Sequence, residues 1–328
     1  MLTRRSILLG GLASPWAARA ALAQGAKSAS WPSGPIRIVV PFAAGGSIDM
    51  IARVVQPGLQ QQLGNTVIVD NRAGASGSTG AAMVAKSPPD GTTWLLCFDS
   101  QAINPFLIAN MPFDTEKDLD PVLLIGTGPH VICAHPSRPY KTFADVVADA
   151  KRRPDVITIS NGGPGSAAHL TALMLAKRAG IRLVHVPYRG GGPSLNDAVA
   201  GHVDLISGTA ALVSTQVGAG ALRPLLQTGL TRLPNLPEVP TADEFGFKGF
   251  EALTWWGSFG PSGLPKEISE RFARALAETL RDPPVHQRLS ESLQIRFDIG
   301  GADRLRKFLA AQMRTWGAVV RENDIKAE

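Results

Sequence analysis

Short apolar runs alternate with helical patterns along most of the chain. Ile36–Pro41 and Thr93–Phe98 are mainly apolar and of strand length, while Ser47–Leu63 repeats its apolar residues with helical spacing. Buried strands that alternate with helices are typical of a mostly parallel sheet covered on both faces. The pattern therefore predicts an α/β fold.

Two such alternating sets follow one another along the sequence. The predicted strands are Ile36–Pro41, Thr66–Val69, Thr93–Phe98, Val156–Ser160, Leu183–Val186, Val203–Ile206 and Leu222–Gln227. The predicted helices are Ser47–Leu63, Gly77–Lys86, Ser166–Ala179, Pro193–Ala200, Ala210–Val217, Lys266–Arg281 and Asp303–Glu322. Pro193 suits a first helical position, and Gly201 suits the position just past a helix end.

Two long apolar stretches connect the sets. Leu119–Ala134, which is broken by Gly126-Thr127-Gly128-Pro129, is expected to carry the chain out of the first set, and Phe250–Phe259 to carry it back. This layout predicts two α/β lobes joined by two crossovers. One lobe comprises residues 31–131 and 252–328, and the other comprises residues 132–251.

The first 23 residues have the features of a secretory signal. A twin arginine at Arg4-Arg5 precedes a short apolar core, and Ala21-Leu22-Ala23 forms an A-x-A cleavage site. The twin arginine fits the twin-arginine export route, although Arg-Arg also serves as the basic region of a general secretory signal. Because no later stretch reaches the about 18 apolar residues of a membrane-spanning helix, we expect an exported, soluble protein.

The charge and the cysteines narrow the picture a little. The 328 residues carry a net charge of +6, which falls to +3 once the three arginines of residues 1–23 are removed. This mild positive bias suits an anionic small molecule and gives no indication of nucleic-acid binding. Export makes a disulfide between Cys97 and Cys133 possible, but two buried thiols in neighbouring strands are the favoured interpretation.

Ligands of doubly wound sheets bind beyond the carboxyl ends of the strands, so the loops after the strands are the candidate sites. In the first, Phe42–Asp49, two glycines let the backbone approach a ligand and leave amides free at a helix start that attracts anions. Asp49 has two interpretations. If Ser47 is the N-cap, its carboxylate stabilises the first helical turn; otherwise it contacts the ligand. The candidate ligand-binding residues of this loop are Phe42, Ala44, Gly45, Gly46, Ser47 and Asp49.

Three further loops follow strands. Asn161–Ser166 offers a second anion site before a helix, and Ser166 is there either an N-cap or a ligand contact. Pro187–Gly192 combines an aromatic side chain, a cation and small residues. Asp99-Ser100 either binds a cationic or amide group or caps the helix near Ala102. The candidate ligand-binding residues of these loops are Asp99, Ser100, Gly163, Gly165, Ser166, His169, Tyr188, Arg189 and Gly190.

Catalytic and cofactor patterns are missing from the sequence. It contains no G-x-S-x-G, H-E-x-x-H or G-x-x-x-x-G-K-[ST] motif, and the six histidines have no metal-ligand spacing. Ser166 and His169 are one turn apart, but no third group is identified that orients the histidine. Gly163-x-Gly165-x-x-Ala168 formally matches a dinucleotide fingerprint, yet no acid ends the next strand. We therefore expect a binding protein without catalytic residues, cofactor or metal.

Seven segments together carry a family resemblance over nearly the whole mature length. They are Pro41-Phe42-x-Ala44-Gly45-Gly46-x-x-Asp49-x-x-Ala52-Arg53, Val69-Asp70-Asn71-Arg72-Ala73-Gly74-Ala75, Pro89-Asp90-Gly91, Ala102-Ile103-Asn104-Pro105, Gly165-Ser166-x-x-His169-Leu170, Val186-Pro187-Tyr188-Arg189-Gly190 and Gly201-His202-Val203-Asp204. In order and spacing they resemble the Bug-type solute receptors, the periplasmic substrate-binding proteins of tripartite tricarboxylate transport systems.

The resemblance implies a two-lobed periplasmic binding protein fold of type II-like architecture, which closes on a ligand in the cleft between its lobes. It implies a small carboxylate held by backbone amides of Phe42–Ser47 with ordered water, and Gly162–Ser166 contacting its distal end. Tyr188 and Asp204 are expected near the cleft. A di- or tricarboxylate, an aromatic acid or an amino acid is the expected ligand, membrane transporter subunits are the expected partners, and a monomer is expected. The alternative is a ligand-sensing periplasmic protein that acts on a membrane signalling partner.

Three positions depart from the family pattern. Asp99 stands where a small neutral residue is expected, which favours a ligand with an amino or amide group. Pro57 interrupts the first helix and is expected to kink it. Ala43 replaces a proline, which is expected to loosen the first loop.

Overall fold

The structure is a computed structural model that describes residues 31–326, and the predicted signal at residues 1–23 lies outside this range. Its strands are β1 (Ile36–Val40), β2 (Val67–Asn71), β3 (Thr93–Phe98), β4 (Leu119–Ala134), β5 (Thr158–Asn161), β6 (Val184–Pro187), β7 (Leu205–Thr209), β8 (Arg223–Gln227), β9 (Leu253–Pro261) and β10 (Arg296–Gly301). Its α-helices are α1 (Ser47–Leu63), α2 (Ser78–Ala85), α3 (Ser100–Leu107), α4 (Phe143–Arg152), α5 (Ala167–Ala179), α6 (Gly191–Val199), α7 (Ala210–Gly218), α8 (Lys266–Arg281), α9 (Pro283–Leu293) and α10 (Ala302–Glu322). Within residues 31–326, none of these helices is both long and apolar enough to cross a membrane. The predicted α/β fold is confirmed.

The strands form one curled sheet in the order β2-β1-β3-β9-β4-β7-β5-β6, and β8 and β10 also pair with β4. Strand β4 is 16 residues long and is shared by two sections of this sheet. Its residues 119–129 pair with β9, and its residues 130–134 pair with β7. We call β2, β1, β3, β9 and β10 with the first part of β4 the first section, and β7, β5, β6 and β8 with the rest of β4 the second section.

Because of the strand directions, loops of both sections lie near the same segment of β4. Strands β3 and β4 are both antiparallel to β9, so β1 and β3 run in the same direction as β4. Phe98 at the end of β3 and Gly126 of β4 both pair with Trp256. Strand β7 runs the opposite way, and its last residue, Thr209, pairs with His130. The loops that follow β1 and β3 therefore approach the middle of β4 from one side, and those that follow β5 and β7 approach it from the other.

The glycines of β4 do not break the strand. A Cβ at Gly126 would lie 2.5 Å from the carbonyl oxygen of Arg296, so a glycine is needed where the backbone of β10 comes close. A Cβ at Gly128 would lie 3.2 Å from the ring of Trp256. The strand was expected to be interrupted at residues 126–129, but β4 is continuous there, and neighbouring groups pack tightly over its glycines.

Apolar side chains from alternate strand positions form the core on the two faces of the sheet. On one face of the first section, helices α1 and α8 cover the strands, and the ring of Trp94 stacks on that of Phe272 with centroids 3.9 Å apart. Along β4, Val131 and Cys133 belong to one apolar cluster, while Ile132 and Ala134 belong to another. This alternation shows that β4 is buried on both faces.

The two cysteines are free and buried, as favoured. They do not lie in neighbouring strands, because β9 separates β3 from β4. Burial raises the pKa of both thiols, and the carboxyl group of Asp99 raises that of Cys97 further. Both are therefore apolar core side chains rather than reactive thiols.

The bounds predicted for α1, β3 and α8 are confirmed. Helix α1 continues through Pro57 in a single run from Ser47 to Leu63. Helix α6 begins at Gly191, with Gly190 as its N-cap, so Pro193 is not the first helical residue. Helices α4 and α9 and strand β10 were not predicted.

Candidate functional site

The loop after β1 presents free backbone amides at the start of α1. Residues 43–46 are exposed, Gly45 adopts a φ of +90°, and Gly46 is the N-cap. The amides of Gly46, Ser47 and Ile48 have no acceptor among residues 31–326. Together with the positive end of the helix dipole, such donors form a site for an anion.

Ser47 is the first residue of α1, and Gly46 rather than Ser47 is its N-cap. The hydroxyl oxygen of Ser47 instead accepts a hydrogen bond from Nε1 of Trp256 at 3.2 Å. This bond joins the start of α1 to β9. The ring of Phe42 stacks on that of Phe98, with centroids 4.4 Å apart, and so places the loop against the end of β3.

Asp49 holds the loop in place from inside the protein. Only 3% of its surface is exposed, and its carboxylate accepts hydrogen bonds from the amide of Gly45, Nε of Arg53 and Nδ2 of Asn71, each at 2.9 Å. Burial by itself raises the pKa of Asp49, but the hydrogen bonds from Arg53, Gly45 and Asn71 outweigh it and leave the pKa below its usual value. Of the two interpretations of Asp49, this geometry favours the structural one. The carboxylate holds the loop and Asn71 of β2 together as well as the start of α1.

Asp49→Asn is expected to lower the free energy of unfolding at pH 7 by about 1–2 kcal/mol, because it breaks a buried ion pair whose arginine is half exposed. The stability that Asp49 contributes is present above the pKa of an unfolded aspartate and is lost as pH falls through the lower folded value. Urea unfolding at pH 7 and pH 3 measures both effects. Asp155→Asn is the control, since the ion pair of Asp155 with Arg182 is mostly exposed. Equal losses in the two variants at pH 7 would contradict the assignment.

Asp99 follows β3 and is also buried, with 5% of its surface exposed. Its Oδ2 accepts a hydrogen bond from the hydroxyl of Thr254 at 2.6 Å. Burial raises the pKa of this carboxyl to about 7, against the opposing effect of the hydrogen bonds from Thr254 and the backbone of Ser100. Asp99 is the N-cap residue of α3 by its position, but its side chain makes no capping hydrogen bond, which disfavours the cap interpretation. Ser100 lies near Phe42, because a Cβ at Gly77 would be 2.7 Å from that ring and 3.5 Å from Oγ of Ser100.

The loop after β5 is tied together by its own side chains. Oδ1 of Asn161 accepts from the amide of Gly163 at 3.0 Å, and Oγ of Ser166 accepts from the amide of His169 at 3.2 Å. Ser166 is therefore the N-cap of α5. Nδ1 of His169 accepts from the amide of Gly165 at 3.1 Å, which places the ring proton on Nε2. Burial, aided by His185, lowers the pKa of His169 to about 4, so the ring is neutral.

The loop after β6 packs against the loop after β5. The amide of Tyr188 donates to the carbonyl oxygen of Asn161 at 3.1 Å, and a Cβ at Gly163 would lie 2.9 Å from the carbonyl oxygen of Tyr188. The Tyr188 hydroxyl donates to Asp197 at 2.6 Å; burial, then this bond, raises its pKa to about 12. Arg189 is exposed and has no ion pair with any residue from 31 to 326.

Asp204 lies away from these loops, which corrects its expected position near the cleft. Its carboxylate accepts from the amide and the hydroxyl of Thr158, both at 2.8 Å, and pairs with Nε of Arg138 at 2.9 Å. Asp204 and Thr158 precede Leu205 and Ile159, which pair in the parallel strands β7 and β5. They therefore lie at the amino ends of these strands, opposite the loops that follow them, and Asp204 joins the two strands.

Elements of the two sections meet at the candidate loops. A Cβ at Gly165 would lie 2.2 Å from Cδ1 of Leu107, so the loop after β5 contacts helix α3. Ala211 of α7 packs on the apolar cluster that includes Phe42 and Phe98. The structure thus gathers the predicted loops around the middle of β4 and leaves Asp204 outside them.

Sequence reasoning missed three residues of this region, and it included Asn161 in a candidate loop without counting it among the ligand-binding residues. Thr254 and Trp256 lie on β9, and Leu107 lies at the end of α3. Nδ2 of Asn161 is buried and has no hydrogen-bond partner in the described part of the chain. Asn161 stands directly before the glycines of its loop, and this position was the available signal for it. The contacts of Thr254 and Trp256 join residues 155 and 209 positions apart, so no local pattern indicates them.

No group of three or more histidine, cysteine, aspartate or glutamate side chains within residues 31–326 is arranged to hold a metal ion. The loops contain free backbone amides and two buried carboxyl groups, of which Asp49 is paired with Arg53 and Asp99 has no ion pair within residues 31–326. The arrangement can bind an anionic group by backbone amides, and it contains no oriented nucleophile and base.

Comparison with known proteins identifies the relatives of this chain. A family model described as "Tripartite tricarboxylate transporter family receptor" matches residues 51–325. Protein BugT of Bordetella pertussis is 32% identical over 311 residues, which cover 94% of this chain and 95% of BugT. The solved structure of the periplasmic binding protein BugD is 31% identical with a TM-score of 0.80, covering 91% of this chain and all of BugD. The structure of R. palustris Rpa4515 with adipate is 29% identical with a TM-score of 0.82, covering 90% of this chain and 99% of that one.

Proposed function

The chain belongs to the tripartite tricarboxylate transporter receptor family, whose members are periplasmic solute-binding receptors and not enzymes, and on this premise we propose that it captures a small carboxylate between two lobes and delivers it to a tripartite tricarboxylate-type membrane transporter. The observation that carries the proposal is the set of free amides of Gly46, Ser47 and Ile48 at the start of α1. They follow the end of β1 that lies nearest the middle of β4. A carboxylate satisfies these donors and the helix dipole together.

The lobes of the proposal are residues 31–131 with 252–328, and residues 132–251. They follow the two sections of the sheet, and the chain passes between them in β4 and again just before β9. A ligand that contacts loops of both lobes binds the closed arrangement more tightly than an open one, and so it shifts the population towards closure. The structure of R. palustris Rpa4515 holds adipate, which supports a linear dicarboxylate as one kind of ligand that this architecture accepts.

The proposed binding residues come from four loops, and Asn161 joins them because its buried Nδ2 is unpaired within residues 31–326. Asp49 and Asp204 are excluded because their carboxylates are already paired inside the protein. The amide of Gly45 is likewise occupied by Asp49. The proposed ligand-binding residues are Phe42, Ala44, Gly46, Ser47, Asp99, Ser100, Asn161, Gly163, Gly165, Ser166, His169, Tyr188, Arg189 and Gly190.

Export to the periplasm is part of the proposal and rests on the signal features of residues 1–23. These include the twin arginine and the Ala21-Leu22-Ala23 site. The periplasmic family of the chain supports it independently.

The test is a thermal-shift screen of the mature protein against dicarboxylates, tricarboxylates, aromatic acids and amino acids. A ligand at a hundred times its Kd adds about 2.7 kcal/mol to the free energy of unfolding, which raises the Tm of a chain of this size by roughly 4 °C. No response to any acid contradicts the carboxylate proposal. Loss of uptake of the identified acid after deletion of the gene supports delivery to a transporter, and unchanged uptake favours the sensing alternative.

A matched pair of variants tests the role of the amides. Ser47→Pro removes one free amide at a first helical position, where proline is tolerated, and Gly46 already has the extended φ and ψ that precede proline. Ser47→Ala removes only the hydroxyl and its bond to Trp256. Titration calorimetry is expected to show about a fivefold weaker affinity in the proline variant than in the alanine variant, the effect of one hydrogen bond of about 1 kcal/mol. Equal affinities would place the carboxylate elsewhere.

A further inference from the structure

Two buried carboxyl groups flank the ends of the adjacent strands β1 and β3, and only one of them has a cationic partner. Asp49 is paired with Arg53 at 2.9 Å. Asp99 has no ion pair with any lysine, arginine or histidine of residues 31–326. A carboxylate removed from water without a counter-charge is strongly destabilised, so a buried one is usually paired.

The known neighbours of Asp99 are uncharged. The hydroxyl of Thr254 and the backbone amide of Ser100 donate hydrogen bonds to it. Within residues 31–326, the titratable group that interacts with it is the thiol of Cys97, which burial keeps protonated. A carboxylate can accept about four hydrogen bonds, so two donors leave part of its capacity unused. The Asp99 carboxylate can therefore accept a hydrogen bond from a further donor. A cationic donor is the best match, because it also supplies the counter-charge that Asp99 lacks.

Asp99 also lies within the proposed binding region rather than elsewhere in the core. Its neighbour Phe98 stacks on Phe42 of the first loop. Its hydrogen-bond partner Thr254 precedes Trp256 by two residues on β9, so both side chains point to the same side of that strand. Trp256 in turn donates to Ser47, whose amide is one of the free donors of α1. The unpaired acid and the free amides thus belong to one connected set of contacts.

We propose that Asp99 selects ligands that carry a protonated amino group in addition to a carboxylate. In this arrangement, which rests on the proposed function, the α1 amides hold the ligand carboxylate and Asp99 accepts a charge-assisted hydrogen bond from its ammonium group. A zwitterionic ligand supplies both the missing acceptor for the amides and the missing cation for Asp99. A plain dicarboxylate instead brings a second negative charge towards a buried acid, which acts against its binding.

Calorimetry with matched acid pairs tests the proposal. The pairs are aspartate with succinate, glutamate with glutarate, and 2-aminoadipate with adipate, measured on the mature protein and on Asp99→Asn at pH 8. The unsubstituted protein is expected to bind the amino member of at least one pair about tenfold more tightly than its plain partner. Asp99→Asn is expected to weaken the amino member about tenfold and to strengthen the plain member, because asparagine keeps an acceptor for Thr254 and loses the charge that attracts an ammonium group and repels a second carboxylate.

The outcomes separate the two proposals. Tighter binding of plain acids by the unsubstituted protein, or equal effects of Asp99→Asn on both members of a pair, overturns the role of Asp99 and leaves the carboxylate receptor standing. Absence of binding by both members of every pair overturns the preference for amino acids, and it overturns the carboxylate receptor as well if no other acid shifts the Tm. Asp99→Ser serves as a second variant, so that a folding defect of one substitution does not decide the result.

Discussion

Asp99→Asn is expected to make the unliganded protein about 3 kcal/mol more stable at pH 8 and to change its stability little at pH 4. The carboxyl has a pKa of about 7 in the folded protein, mainly because it is buried, whereas an unfolded aspartate has a pKa of about 4. A difference of about three pKa units corresponds to about 4 kcal/mol, of which a small part is offset by the weaker hydrogen bond between asparagine and Thr254.

The direction of this effect follows from which state binds the proton more tightly. Below pH 4 the carboxyl is protonated in both states, and the folded protein keeps all the stability that a neutral Asp99 allows. As pH rises, the unfolded chain ionises first, so stability falls from about pH 4 until the folded carboxyl also ionises near pH 7. Asparagine has no proton to lose, and the difference between the two proteins therefore appears within this window.

Urea unfolding of both proteins at pH 4, 6 and 8 measures this difference. Other acids, such as Asp49 with its lowered pKa, change the pH profile of both proteins equally and cancel in the comparison. Asp155→Asn, at a mostly exposed ion pair, is expected to give a difference below about 0.5 kcal/mol at every pH. A difference that does not change between pH 4 and pH 8 would show that the folded Asp99 carboxyl has an ordinary pKa.

The stability cost of Asp99 supports its assignment to function. Perturbed pKa values concentrate at functional sites, so a buried acid that lowers stability fits the ligand-binding role proposed for it. Asp49 shows the opposite pattern, because it has a cationic partner in Arg53 and two further donors in Gly45 and Asn71 inside the protein. Both acids have little exposed surface, but Asp99 lies deeper in the protein and lacks the cationic partner that Asp49 has.

Local signals in the sequence predict the elements that bracket the candidate loops. The apolar spacing of α1, the glycines before it and Gly64 after it set its bounds at Ser47 and Leu63, and these are the observed bounds. Helix α4 also has a local signal, a capping box between Thr142 and Asp145, in which each residue's side chain accepts from the other's backbone amide. Strand β10 has no comparable signal, because only its pairing with β4, about 170 residues earlier, makes it a strand.

The partners of the acids explain why side-chain roles were harder to predict than elements. Arg53 lies one turn from Asp49 and is visible in the sequence, but Asn71 lies 22 residues away. Thr254 lies 155 residues from Asp99, and nothing local distinguishes that contact from a helix cap. Asp204 lies in a family motif, but the motif does not show that its carboxylate faces the amino ends of β5 and β7. Roles that depend on distant partners thus required the three-dimensional structure.

Gly165→Ala is expected to weaken binding of the ligand identified in the screen by about thirtyfold. The added Cβ would lie 2.2 Å from Cδ1 of Leu107, so either this side chain must shift or the loop after β5 and helix α3 must move apart. Overpacking of this kind costs about 1–3 kcal/mol, and 2 kcal/mol corresponds to about thirtyfold in affinity. Because the two elements belong to different proposed lobes, an open arrangement relieves the clash, and the cost appears when the ligand closes the lobes.

Gly180→Ala is the matched control, because Gly180 has nearly the same φ, +63° against +69° at Gly165, and no atom within 4 Å of its would-be Cβ. Both variants carry the left-handed backbone strain of about 1 kcal/mol, and they are expected to lose similar stability without ligand, as measured by urea unfolding. Calorimetry is expected to show weaker binding in Gly165→Ala alone. Adding Leu107→Ala to Gly165→Ala removes the clashing methyl groups and is expected to restore most of the affinity. If the double variant binds as weakly as Gly165→Ala, the contact with α3 does not control closure, and the loop after β5 acts only through its own backbone.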